Sequence, residues 1–312
     1  MRSSHRHSAL LASLLGLLVP LALQAQEAPE PLTLVQQGKR LNTEGKQEEA
    51  LALYEKALAA NPNLFDAHLA SGLALDLLGR YTEARTHLAR AIELAPPEGK
   101  ITALNAMAVS FAFEARANEG AQFYQRAFDA EAPERPASAA EEANALGRLY
   151  LESGDTKNAR RWYQTGFETA RRQKDEPASQ LDLWQFRWLH AQARIAAREG
   201  RHREAVKQAA AARVLMTTSP SLADQKPAVA YLEGYIALYG GKARDALTAL
   251  ARADQQDPFI LMLEARASEK LGDRPGADRF WRQVLTVNGH SLQNAFARPA
   301  ARKAVPRIGP RP

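Results

Sequence analysis

The chain predicts an all-α fold, a solenoid of about seven stacked helical hairpins, and three observations carry that expectation. The stretches EEALALYEKALAANP (48–62) and TEARTHLARAIELAP (82–96) place alanine, a bulky apolar residue, alanine and proline in the same order, 34 residues apart. A glycine recurs between the two apolar runs of almost every unit, where a helix must turn back. The apolar share, 46% of 312 residues, is rich in alanine rather than in large side chains, which suits helix backbones that approach closely.

Numbering within a unit from Pro31 puts glycine at the fifteenth place, alanine at the twentieth, an aromatic or leucine at the twenty-fourth and a small residue at the twenty-seventh. The first unit shows Gly38, Gly45, Ala50, Tyr54, Ala57 and Pro62. The second, from Phe65, shows Gly72, Gly79, Ala84, Leu88, Ala91 and Pro96. A third unit from Ile101 keeps Ala108, Tyr124 and Ala127 but lacks the turn glycine, so an altered turn is expected there. Units from Ala140 (Gly147, Gly154, Ala159, Tyr163), Phe186 (Ala193, Gly200, Ala205, Ala209), Pro227 (Gly234, Gly241, Ala246, Leu250) and Pro258 (Ala265, Gly272, Ala277, Trp281) complete the array.

The small residues at the eighth, twentieth and twenty-seventh places let backbones meet, while larger ones at the fourth, eleventh and twenty-fourth fill the space beside them. Glycine past a helix end takes positive φ without strain, and proline then stops the second helix. Inserts at 132–139, 171–180 and 217–225 are rich in Pro, Ser and charge and read as loops or helix extensions.

These residues and spacings resemble the tetratricopeptide repeat over residues 31–289, with units starting near 31, 65, 101, 140, 186, 227 and 258. The resemblance implies a right-handed superhelix whose first helices line a concave groove with their second, fifth, ninth and twelfth places. It thereby points to Asn144 and Arg148, then Arg187, His190, Arg194 and Arg198, then Tyr231, Tyr235 and Tyr239, and last Phe259, Met262 and Arg266 as partner-binding residues. On the residues alone, the arginine row also reads as a solvated face, and the tyrosine row as core. Trp184, Trp188, Ala191 and Ile195 form a competing apolar stripe that leaves the register of the fifth unit open. The family's clamp for a terminal carboxylate is not expected, because the second unit offers Leu69, Leu73 and Asp76 at the places it would use.

The ends carry other signals. Arg2 and Arg6 precede an apolar stretch from Ala9 to Leu23 and small residues near Ala25, the pattern of a signal peptide over 1–25 followed by a linker over 26–30. Export to the periplasm, or secretion through it, is expected. The chain has no cysteine, which excludes disulfides, thiolate metal sites and cysteine nucleophiles. Its net charge of +6 sits at the two ends: setting aside Arg2 and Arg6 and the five basic residues of 298–312 leaves 34 of 41 basic residues against 35 acidic ones. A short capping helix is expected at 290–298 with Ser291 as its cap, then a basic, proline-rich disordered tail over 299–312, where Arg302→Ala would leave stability almost unchanged.

No phosphate loop, HExxH or GxSxG is present, and the histidines at 68, 87, 190, 202 and 290 show no ligand spacing. No enzyme activity, cofactor or metal is expected. The function expected is a protein-interaction scaffold of the bacterial cell envelope that grips a peptide in the groove. The alternative is a periplasmic binder of an anionic polysaccharide. Nucleic acid is not an expected partner for an exported chain, and no membrane span is expected in the mature one.

Overall fold

The computed structural model describes residues 30–172 and 177–305. The signal peptide and all of the linker but Glu30 lie outside the described residues, as do positions 173–176 of the second insert. Fifteen α-helices and two short 3-10 turns make up the described chain, and no strand occurs among these residues. No helix among them is long and apolar enough to cross a membrane.

Seven antiparallel pairs follow one another. They are α1 (Pro31–Thr43) with α2 (Gln47–Ala60), α3 (Phe65–Leu78) with α4 (Tyr81–Leu94), α5 (Lys100–Phe113) with α6 (Ala117–Glu131), and α7 (Pro136–Ser153) with α8 (Thr156–Ala170). Then come α9 (Ala178–Arg198) with α10 (His202–Thr218), α11 (Lys226–Tyr239) with α12 (Ala243–Leu250), and α13 (Pro258–Lys270) with α14 (Arg274–Thr286). Each helix packs on its sequence neighbours, and first helices of successive pairs also meet, as α1 meets α3 and α9 meets α11. The inserts became helix extensions more than loops: α7 and α9 start ahead of their units, and 220–225 winds into a 3-10 turn.

The pairs are held at close range by one recurring contact. The twenty-fourth-place side chain of the second helix lies directly on the eighth-place residue of the first. A Cβ added at Gly72 would stand 2.6 Å from Leu88 Cγ, and one at Gly147 would stand 2.7 Å from Tyr163 Cγ. Gly38 beneath Tyr54 and Gly234 beneath Leu250 repeat the arrangement at 2.3 and 2.5 Å. Around it Ala50, Ala57, Ala84, Ala91, Ala159, Ala205, Ala212 and Ala246 are wholly buried.

The turn glycines adopt the left-handed conformation, φ 84° at Gly79, where Gly79 N–H donates to Asp76 O and Arg80 N–H reaches back to Leu75 O. The third unit keeps this turn, contrary to expectation. Ala115 takes φ 59°, and Ala115 and Arg116 donate to Ala112 O and Phe111 O in the same pattern. Packing on both sides overrides the local cost of placing a Cβ there.

In the fifth unit both candidate stripes are buried. Trp184, Ala191 and Ile195 pack toward α7 and α8, while Phe186, His190, Ala193 and Ala197 face the other way, so the helix lies sandwiched along much of its length.

The C-terminal segment departs most from expectation. Ser291 does cap a helix, accepting from Asn294 N–H, but α15 runs from Leu292 to Ala304 and carries Pro299 in its interior. Residues 299–304 are therefore helical, and of the expected tail only 306–312 lie outside the described residues. Tertiary anchoring overcomes the proline. Arg298, 7% exposed, donates to Leu77 O at 3.1 Å, Leu285 O at 3.2 Å and Val287 O at 2.8 Å, and Arg302 also donates to Leu77 O. Arg302 is thus a structural contact, and its replacement by alanine is not neutral.

This helix joins the two ends of the array. On one side Leu292 and Ala295 share a core with Leu77, Val109 and Phe113; on the other Phe296 meets Phe259 edge-on at 6.1 Å. His290 bonds the fully buried Asp76 at 2.8 Å, and Asp76 also accepts from Ser110 Oγ at 2.8 Å. Asn288 exchanges bonds with Gln47 and Thr43 of the first pair. The solenoid is closed into a ring.

Two outcomes check these assignments. Gly72→Ala is expected to lower stability by about 1–3 kcal/mol through overpacking against Leu88, read by urea denaturation, and an unchanged midpoint would count against the contact. Ala115→Gly is expected to raise stability by about 0.5–1 kcal/mol, since it removes the left-handed strain.

Candidate functional site

Inside the ring, the inward faces of α3, α5, α7, α9 and α11, with the start of α15, line an open cavity of 1090 Å³. This is just above the range for small-ligand pockets, about 300–1,000 Å³. One wall is apolar, formed by Leu69, Leu73, Ala106, Val109 and Leu292. The facing wall is polar, with Asn144 and Arg148 from α7, Arg187, His190 and Arg194 from α9, and Tyr231 from α11. Asp224 and Asp257 approach from the 3-10 turn and the cap of α13.

Six of the twelve expected residues therefore share this cavity, and six do not. Tyr235, Phe259 and Met262 are core, each at most 1% exposed, while Arg198, Tyr239 and Arg266 lie off the cavity wall. Two causes act. On α13, α15 packs over the face that an open superhelix would expose and covers Phe259 and Met262. On α9 and α11, Arg198 and Tyr235 turn to Glu152 of α7, and Tyr239 packs against both.

Charge is paired unevenly along the polar wall. Arg187 is bridged to Glu141 and lies over the Trp184 ring at 4.8 Å. Arg198 pairs with Glu152 at 3.1 Å, and the Tyr235 hydroxyl donates to the same carboxylate at 3.3 Å. Arg148 and Arg194 have no ion pair among the described residues; Arg194, 6% exposed, donates to the Tyr163 hydroxyl at 3.0 Å. His190 bonds Ala228 O at 3.2 Å, and its pKa is held well below the ordinary value by burial and by the Arg194 and Arg148 charges. It is neutral at pH 7.

Sequence reasoning missed part of the lining. Leu69, Leu73, Thr102, Asn105 and Val109 occupy the same second, fifth and ninth places in units two and three, so the repeat register could have found them. Tyr163 projects from a second helix, and Asp224, His290 and Leu292 come from the insert and the C-terminal segment. The repeat register marks Tyr163 as a packing residue of its twenty-fourth place, and it gives no place at all to the other three.

With this geometry in hand, comparison with known proteins is informative. A family profile described as "TPR repeat" matches residues 38–79, and one described as "Tetratricopeptide repeat" matches 65–98. A tetratricopeptide repeat protein from Parabacteroides merdae is similar in structure at 13% identity and TM-score 0.53, covering 86% of this chain and 98% of that one. The apo form of RapI is similar at 11% identity and TM-score 0.55, covering 81% and 95%. At these identities the likeness speaks for the fold. No curated protein sequence matches the chain. The repeat profiles match residues 38–98, and over the rest of the described chain the likeness is one of fold: helical hairpins stacked as in tetratricopeptide-repeat structures.

Just behind the cavity wall, Asn105 donates to Glu142 at 2.7 Å, and burial pushes the Glu142 carboxyl from its ordinary 4.5 up to about 7. The folded state thus binds more protons than the unfolded chain between those values, and stability falls as pH rises through that window. Glu142→Gln is expected to flatten the pH 4.5–7 slope by on the order of 2–3 kcal/mol, measured by denaturant unfolding across that range.

Proposed function

We propose that the protein is a non-enzymatic interaction scaffold that takes a short peptide segment into the lumen of its repeat ring, and that it works in the bacterial cell envelope after export. One observation carries the reading: the inward helices of five successive units converge on a single cavity with an apolar wall opposite an arginine-bearing one. Such a surface gives a peptide both side-chain burial and polar anchors. The closed ring limits the occupant to a short segment or a chain end. The leader pattern over 1–25 supports the compartment.

The reading as a binder of an anionic polysaccharide draws less support. A polymer needs a continuous row of unpaired cations, whereas Arg187 and Arg198 are engaged by Glu141 and Glu152, and Tyr235 is buried.

Affinity capture from envelope extracts tests the lumen. Asn144→Trp fills the cavity and is expected to abolish recovery of the partner, while Lys207→Trp on exposed α10 is expected to preserve it. Equal recovery with both variants would overturn lumen binding. Steep loss of wild-type capture with added salt would favour the polymer.

A further inference from the structure

The buried ends of two arginines in the cavity have no counterpart in the chain. Arg148 Nε and Nη2 are buried and meet no acceptor, and neither does Arg194 Nε. The hydroxyl of Tyr231, a residue 8% exposed on the cavity wall, is likewise without a partner. Buried polar groups in folded proteins are paired as a rule, and charged donors most of all. Three such groups around one cavity mark a place where something else supplies the acceptor.

The groups lie together. Arg194 sits over the Tyr231 ring at 6.0 Å, Tyr231 meets Phe259 edge-on at 6.3 Å, and Arg148 sits over Phe259 at 5.0 Å. The aromatic faces hold both guanidinium groups in place, and apart from the Arg194 Nη2 bond to the Tyr163 hydroxyl they leave the buried N–H edges at Arg148 Nε and Nη2 and Arg194 Nε unused. The acids that act on these arginines are held elsewhere: Glu152 serves Arg198 and Tyr235, and Asp257, although it feels the Arg148 charge, accepts from Phe259 N–H at 2.8 Å and makes no ion pair with Arg148. His190, kept neutral, adds no charge of its own.

We propose that Arg148, Arg194 and the Tyr231 hydroxyl form a seat for a carboxylate carried on an apolar body, with the body lying against Leu69, Leu73 and Val109. A carboxylate fits better than a phosphate, because Asp254 and Asp257 border the same cavity and repel a second negative charge. The biological source of the carboxylate, a peptide C-terminus, rests on the lumen reading above. The chemistry of the seat stands without it.

The test titrates the full chain, by calorimetry, with octanoate, with a pool of hexapeptides ending in leucine as free acids, with the same pool amidated, and with inorganic phosphate. Octanoate and the free-acid pool are expected to bind, the amidated pool and phosphate at least about tenfold more weakly, and Arg148→Met, Arg194→Gln and Tyr231→Phe are expected to weaken octanoate by about tenfold or more. Binding of octanoate without either pool would uphold the seat and overturn the peptide lumen. Equal binding of both pools, unaffected by Arg148→Met, would uphold the lumen and overturn the seat. Phosphate binding tighter than octanoate overturns the carboxylate assignment, and silence in every arm overturns seat and lumen together. Stability gives an independent readout: Arg148→Met and Tyr231→Phe remove unpaired buried groups and are expected to melt at or above wild type. A fall as large as that of Arg298→Ala, which strips three carbonyl contacts from α15, would make Arg148 structural and end the proposal.

Discussion

Everything in this ring depends on how closely two helices of a pair can approach, and that distance is set where a large side chain of one helix lies on bare backbone of the other. Leu88 over Gly72, Tyr163 over Gly147 and Leu250 over Gly234 leave no space for even a methyl group. Close approach brings alanines at the twentieth and twenty-seventh places into full burial, and a stack of such pairs then repeats with little variation. Because each pair is fixed by its own contacts, the angle between neighbours is fixed as well. Over seven pairs those angles add up to a curve whose ends come within reach of one another.

The C-terminal segment uses that proximity. Asn288, His290, Arg298 and Arg302 each bond to residues in the first two pairs, more than two hundred positions earlier. The anchors are polar groups on buried ground: a carboxylate at Asp76 and the backbone carbonyl of Leu77, which the last turn of α3 leaves without an intrahelical partner. A groove open along its length becomes a lumen of limited volume. The same helix that creates this enclosure covers the last inward face, so enclosure and loss of groove surface have one cause.

Electrostatics inside the lumen divides along the same line. Where an arginine serves the fold, a carboxylate stands beside it, as Glu141 beside Arg187 and Glu152 beside Arg198. Where the wall faces the cavity at Arg148 and Arg194, aromatic rings hold the side chains, and no carboxylate among the described residues comes within ion-pair distance, although Asp257 and Glu152 act on them from farther away. Keeping unpaired charge buried costs stability, which sites of binding tolerate and purely structural positions do not.

Much of this was readable from residue order, because the repeat is a local rule. The hairpins and their turns follow from periodicity of 3.6 within helices and of roughly 34 between them, both short-range properties of the chain, and the inward places of units two to five are what the resemblance to the tetratricopeptide repeat implies on that register. Even where the rule lapsed, at Ala115, neighbouring packing restored the turn. Ring closure was not readable. It joins Asp76 to His290 and Leu77 to Arg298 through curvature accumulated over the whole array, and no local pattern encodes a sum. That is why Pro299 misled as a helix stop and why Phe259 and Met262 proved to be core, while Tyr235 was lost to the groove through its bond to Glu152, a contact between units that the repeat places do not signal.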